Sequence, residues 1–437
     1  MPAIRRFAIA AAVLLSPAAA AAQEQPPPEQ DLRRALEEVR RLREEDADRI
    51  EDLERRLVAV ERPAPALRLL DLSLSGLFAA GGSTATEEEL EVLQGGGHDP
   101  HKRGFTVQNV ELSISGAVDP YLRGDFHLIT FIDSEGETRV ELEEAYLTST
   151  SLPAGLQLRA GHFFTEFGRL NPTHPHSWDF VDQPVVSTRM FGADGMRAPG
   201  ARLSWLAPTE TPLELLATVQ NANGETMTSF LGTEDEEQVG GRPWNAPGVR
   251  SLGDLLYAGR AQASVDLSGE TTALFGASAA AGPNGTGDSG RTRILGGDLT
   301  VKWKPRANDH GFPFVDWQTE AMTRRFHADE YLVAGEPYFP HETLHDGGFY
   351  SQATWGFRRG WTAGVRWDQA DGMHGDPQDD PFRERRTRAA AALTWFPSEF
   401  SKVRLQVNRD RSESLGESTS VWLQFEFLLG AHGAHRF

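Results

Sequence analysis

The residues of this 437-residue chain whose types and spacing could carry chemistry gather in two stretches. Between residues 164 and 197, His174, His176, Asp179 and Asp182 stand close together, with Glu166, Arg169, Arg189 and Arg197 around them. As ligands, the two imidazoles and two carboxylates offer the borderline nitrogen and oxygen donors that suit zinc. As pore residues, acids and guanidiniums facing each other across a narrow passage would set up a transverse field that sorts solutes by charge and dipole. A packed loop held by structural hydrogen bonds would use the same residues. The second stretch, His341-Glu342-Thr343-Leu344-His345, matches the pattern in which two histidines one helical turn apart hold zinc and the glutamate acts as base. That chemistry needs a helix of several turns. Pro337 and Pro340 come just before it and Gly347-Gly348 just after, so a peptidase is not expected and metal capture by His341 and His345 is what remains. His432 and His435 add two imidazoles near the C-terminus.

Composition removes other chemistries. There is no cysteine, which excludes thiol catalysis, iron–sulfur clusters and a disulfide framework. Asp and Glu number 63 against 43 Lys and Arg, a net charge of −20, so nucleic acid is not an expected partner. Gly95-Gly96-Gly97 has no helix after it to cradle a phosphate, and no nucleophile elbow occurs. The chain is expected not to be an enzyme.

The elements that would position these residues change character along the chain. Residues 1–22 carry Arg5 and Arg6, an apolar run from Phe7 to Leu15 and an alanine-rich end, the pattern of a secretory signal peptide. Residues 23–30 form a proline-rich spacer. Residues 31–62 hold no Gly or Pro. Leu32, Leu36, Val39, Ile50, Leu53, Leu57 and Val60 keep a heptad spacing there, broken at Arg43 and Asp46, so a short periplasmic coiled-coil helix is expected.

From residue 66 to 437 a period of two replaces the helical period. In 291–304, Leu295, Gly297, Leu299, Val301 and Trp303 alternate with Asp298, Thr300 and Lys302. About sixteen such strands follow one another, joined alternately by short turns and by longer segments that include 80–104, 164–197, 222–253 and 327–346. Strict short and long alternation, with tryptophans at strand ends such as Trp205, Trp303, Trp355, Trp361 and Trp395, predicts an all-β transmembrane antiparallel barrel with external loops at one end. Its polar face mixes signs, with Arg123, Asp125, His127, Glu141, Glu143, Arg159, Arg202, Arg260, Asp266, Arg366, Asp368 and Arg404 as lumen positions. Residues 164–197 are the expected constriction loop, with Arg159 and Arg202 on the strands beside it. Acidic runs at Glu87 to Glu91, Glu234 to Glu237 and Asp376 to Asp380 fall on external segments.

The order of signal peptide, coiled coil, sixteen-strand barrel and terminal Phe437 resembles the phosphate-selective porin O/P type of Gram-negative porins. The block Arg159 to Pro172, continued by His174 to Pro184, is similar to a group of outer-membrane proteins labelled zinc-regulated outer-membrane receptors. The resemblance implies an outer-membrane location, a homotrimer, folding by the barrel-assembly machinery, and lipid and lipopolysaccharide as surroundings. Together with the residues, it leads to an expected passive channel for small hydrophilic solutes or ions with a weak cation preference. A zinc-binding receptor or uptake protein is the alternative. No resident cofactor is required, with calcium or magnesium at the external loops and zinc at the histidines as the candidate ions.

Overall fold

The computed structural model describes residue 41 and residues 70–430, apart from 134–135, 234–241, 245–247, 335–337 and 374–382. The expected signal peptide, spacer and coiled coil (residue 41 excepted) lie outside the described residues. So do the acidic runs Glu234 to Glu237 and Asp376 to Asp380, and His432, His435 and Phe437.

Sixteen strands follow in order. The first eight are β1 (Leu70–Ser83), β2 (Gly104–Ala117), β3 (Leu122–Ile132), β4 (Thr138–Ser149), β5 (Leu156–Phe164), β6 (Arg197–Leu206), β7 (Leu213–Asn221) and β8 (Leu255–Ser268). The second eight are β9 (Thr271–Pro283), β10 (Arg291–Trp303), β11 (Phe314–Ala328), β12 (Glu342–Arg358), β13 (Trp361–Ala370), β14 (Arg386–Ser398), β15 (Ser401–Ser412) and β16 (Gly416–Gly430). Each pairs antiparallel with its sequence neighbours, and β1 closes the barrel on β16 in the register Ser73 to Gly430. At this seam Gly81 crosses Val421 so closely that a Cβ there would stand 2.1 Å from the Val421 carbonyl oxygen.

The alternation fixes which way each side chain points. Leu295 and Trp303 of β10, Val365 and Trp367 of β13, and Leu423 and Phe425 of β16 are exposed on the outside, while Asp298, Arg366 and Gln424 between them are buried inside. An outward apolar face on a closed barrel is the arrangement a bilayer demands, because closure leaves no strand edge unpaired in lipid. Trp205, Trp303, Trp355 and Trp395 form a belt at the short-turn end, where Trp361 stacks on Trp395 with ring centres 6.1 Å apart.

Two expectations are corrected. The connection placed at 327–346 shrinks to 329–341, because β11 runs to Ala328 and β12 begins at Glu342. There the period of two persists but its sense inverts: Phe326 and Leu344 point inward and are buried, while Arg325 and His345 point outward. Beyond the bilayer the outside is water, so the apolar side turns in. The acidic run Glu87 to Glu91 is not plain loop either. It opens α1 (Glu87–Leu93), where Thr86 Oγ1 accepts from the Glu89 amide at 3.2 Å and Glu89 accepts from the Thr86 amide at 2.7 Å. This capping box and the acids in the first turn suit a helix start. Leu90 and Leu93 bury against Val181 and Trp422.

The long connection between β5 and β6 folds into the barrel. It carries α2 (Val185–Phe191), which packs on the inner faces of β11 to β14. Phe167, Val186, Met190 and Phe191 from this loop meet Met227, Phe230 and Leu231 from the next long loop, and inward residues Leu256, Ile294, Met322 and Tyr350 of the wall. These positions lie toward the long-loop end, so that half of the interior holds an apolar core.

Candidate functional site

Below that core, toward the short turns, the interior opens into a polar cavity of about 560 Å³. Its roof is the third external loop, between β5 and β6. His174-Pro175 holds His174 in extended backbone, since the residue before a proline is kept out of the helical region. A single 3₁₀ turn over Pro175–Ser177 then aims His174 and His176 at the wall. Asn171 ties the two stems of the loop, donating to the Thr165 carbonyl at 2.8 Å and accepting from the Met196 amide at 2.8 Å.

Under the two histidines stand three carboxylates and a third imidazole from β2, β3 and β4. His174 Nδ1 is 2.6 Å from Glu143 and 3.4 Å from Glu111, and its Nε2 is 3.0 Å from Glu144. Glu111 also meets His176 Nδ1 at 3.0 Å and His127 Nδ1 at 2.9 Å, and Ser113 Oγ donates to it at 2.6 Å. Consecutive Glu143 and Glu144 both face inward because the β3–β4 register shifts between His127 and Leu128, a bulge that sets two residues on the same side. Burial by itself would lower the His174 pKa, but Glu143 and Glu111 outweigh it and hold the imidazole well above its ordinary value. One ligand atom each from Glu111, His127 and His174 lie within 4.8 Å of one another, as do those of His98, Glu141 and Asp194.

Of the pore residues expected from sequence, Arg159, Arg169 and Asp179 line the cavity. Arg159 also lies over the Tyr146 ring, 4.0 Å from its centre. The others serve as fasteners. Glu166 is ion-paired with buried Arg202 and lies 3.7 Å from Arg159. Arg197 is buried against Glu141. Arg189 donates to the carbonyls of Asp371 and Glu384, at 3.0 and 2.7 Å.

The expected metal quartet is split. His174 and His176 join the cluster, but Asp182 is enclosed elsewhere, accepting from Arg366 (2.6 Å), Arg388 (3.0 Å), Gln406 (2.9 Å) and Asn408 (2.5 Å). Burial would raise its carboxyl, yet Arg388 and Arg366 hold it at about 2. Asp179 faces the cavity.

His341 and His345 are also not brought together. His345 sits on β12, and four residues along a strand span about 13 Å, too far to share an ion. His341 instead pairs with Asp329 at 3.2 Å and stacks on His327.

Sequence reading missed Glu111 and Glu144 as partners of the loop histidines. The inward phase of β2, counted from the short turn after it, points to Glu111; the bulge that turns Glu144 inward leaves no local sign.

No family model matches the chain. Among solved structures, an anion-selective porin from Comamonas acidovorans is similar at 8 % identity and a TM-score of 0.48, over 83 % of this chain and 98 % of that one. The outer membrane channel DcaP of Acinetobacter baumannii is similar at 11 % identity and a TM-score of 0.49, over 82 % and 96 %. OprB of Pseudomonas putida reaches 9 % and 0.48, over 83 % and 94 %. By sequence, the chain is 31 % identical over 408 residues to an "Uncharacterized protein" of Aquifex aeolicus (strain VF5), covering 84 % of this chain and 80 % of that one. The chain belongs to the family of this Aquifex aeolicus protein.

Proposed function

We propose that the protein is a passive outer-membrane channel for small hydrophilic solutes and ions, narrowed by the loop between β5 and β6. The observation that carries this reading is the charged cavity inside a closed, outwardly apolar barrel, roofed by a loop that comes from the long-loop end. A sixteen-strand barrel is wide enough for an aqueous passage. The cation preference is supported by six acids on the cavity wall, Asp71, Glu111, Asp125, Glu144, Asp179 and Asp316, against Arg123, Arg159 and Arg169 and the histidines His127, His174 and His176. Homotrimer formation, lipopolysaccharide contact and delivery by the barrel-assembly machinery complete the proposal, with residues 31–62 as an added association element.

Planar-bilayer recording of the purified, folded protein tests it. Discrete conductance steps are expected, with reversal potentials in a KCl gradient of the sign for modest cation preference, strongest in dilute salt where screening is weak. Absence of steps overturns the channel reading. An anion preference that persists at high salt overturns the cation preference.

A further inference from the structure

The cluster beneath the third loop sets imidazole nitrogens and carboxylate oxygens at ion-pair distances that also suit a bound metal ion. We propose that Glu111, His127, His174 and Glu143 bind one divalent transition-metal ion of the zinc class at the roof of the cavity. The ligand atoms come from four elements: the paired strands β2, β3 and β4 supply Glu111, His127 and Glu143, and the inserted loop, distant in sequence from β2, supplies His174.

In a tetrahedral zinc site with bonds of about 2.0–2.1 Å, neighbouring ligand atoms stand about 3.3 Å apart. The pairs here are 2.9 Å (His127 to Glu111) and 3.4 Å (His174 to Glu111), and one ligand atom from each of these three residues lies within 4.8 Å of the others, with Glu143 joining through His174 Nδ1 at 2.6 Å.

Independent features point the same way. Glu143 is 1 % exposed, and its Oε2 lies 2.6 Å from His174 Nδ1 without the angles of a hydrogen bond. On the far side of the ring, Glu144 holds His174 Nε2 at 3.0 Å and is itself held by the Phe164 amide at 3.1 Å. A carboxylate on the second nitrogen fixes the imidazole so that the first nitrogen presents its lone pair to a metal, the usual support for a metal-bound histidine. Two imidazoles with two carboxylates are borderline donors, which select zinc-class ions over calcium or magnesium.

The test is calorimetric titration of the chelator-stripped, folded full-length protein with zinc at neutral pH, with metal content of the dialysed complex measured in parallel. One stoichiometric site is expected, weakened at least about 100-fold in Glu111→Gln and in His174→Ala. Heat-dependent gel migration verifies that each variant still forms the barrel. His127→Gln, at the cavity side of the cluster, is the second variant should the buried ones fail to fold. The double variant His341→Ala, His345→Ala is expected to bind as wild type does. The proposal is overturned by no stoichiometric zinc in wild type, by binding that survives the cluster variants, or by binding lost with His341 and His345. The readout is binding, so it stands or falls apart from conduction.

Discussion

Replacing Asp182 by alanine probes what holds the third loop inside the barrel. Its carboxylate reaches β13 through Arg366, β14 through Arg388 and β15 through Gln406 and Asn408, and its carbonyl accepts a further bond from Arg366 at 2.8 Å. Breaking one partner out of a buried ion pair costs about 3–5 kcal/mol, because the remaining charge is left without its counterion. Here each guanidinium keeps another acid, Asp368 for Arg366 and Asp410 for Arg388, both at 2.9 Å. The lower end therefore applies, about 3 kcal/mol, which at ~1.4 kcal/mol per tenfold lowers the docked fraction of this segment about 100-fold relative to the undocked. The stems stay tied by Asn171, and Arg404 still grips the Trp178 carbonyl at 2.7 Å. Release is thus confined to the segment that follows Trp178. The expected result is a barrel that still shows heat-dependent gel migration but is cut by trypsin within 164–197 and, if it conducts, flickers in single-channel records. An Asp182→Ala protein as resistant to trypsin and as quiet as wild type would refute the anchoring role.

Asp99, in the loop before β2, accepts from the amides of Gly96 and Gln183, and burial followed by the Asp182 charge raises its carboxyl to about 7. A raised acid stabilises most below its unfolded value near 4 and loses that contribution as pH climbs through 7, so the melting-temperature gap between wild type and Asp99→Asn should fall over that range. A gap that is flat in pH would contradict it. Asp182, held at about 2, acts in the opposite sense, losing its contribution only as pH drops from about 4 toward 2. Gly168 sits at a φ of 64° with its Cβ position 2.0 Å from Glu320 Oε2, so Gly168→Ala should lower the urea midpoint by the equivalent of about 1 kcal/mol or more. An unchanged midpoint would mean that the loop accommodates the methyl group.

The barrel was legible because its logic is local. Alternation in β10 or β16 and the contrast of Arg359-Gly360 with residues 165–196 can be read a few residues at a time. The outer ends of β11 and β12 were harder, because Phe326 and Leu344 obey the same period with the opposite sense, so 327–346 read as a connection where both strands continue. α1 was readable in principle from Thr86-x-x-Glu89. The candidate site was half legible. His174 and His176 stand out by type, but their partners come from positions 111, 127, 143 and 144, and Asp182 is claimed by Arg366 and Arg388. Such pairings depend on how the loop enters the barrel, a non-local fact that no window of sequence contains.

The apolar core inside the outer half of the barrel has a consequence for the order in which the molecule can be put together. Every residue of that core lies between Phe167 and Tyr350, within β5 to β12 and their loops, whereas the seam joins Ser73 to Gly430. Contacts close in sequence cost less chain entropy to form than a closure across nearly the whole chain. The middle strands can therefore wrap their own loops while both edges are still open, and the packed loops then act as a mandrel around which the terminal strands curve. Trp422 from β16, Leu90 from α1 and Val181 from the inserted loop meet only when β16 arrives at β1. Their small cluster is a latch, set by the last strand to arrive and resting on a segment that the earlier strands have already fixed.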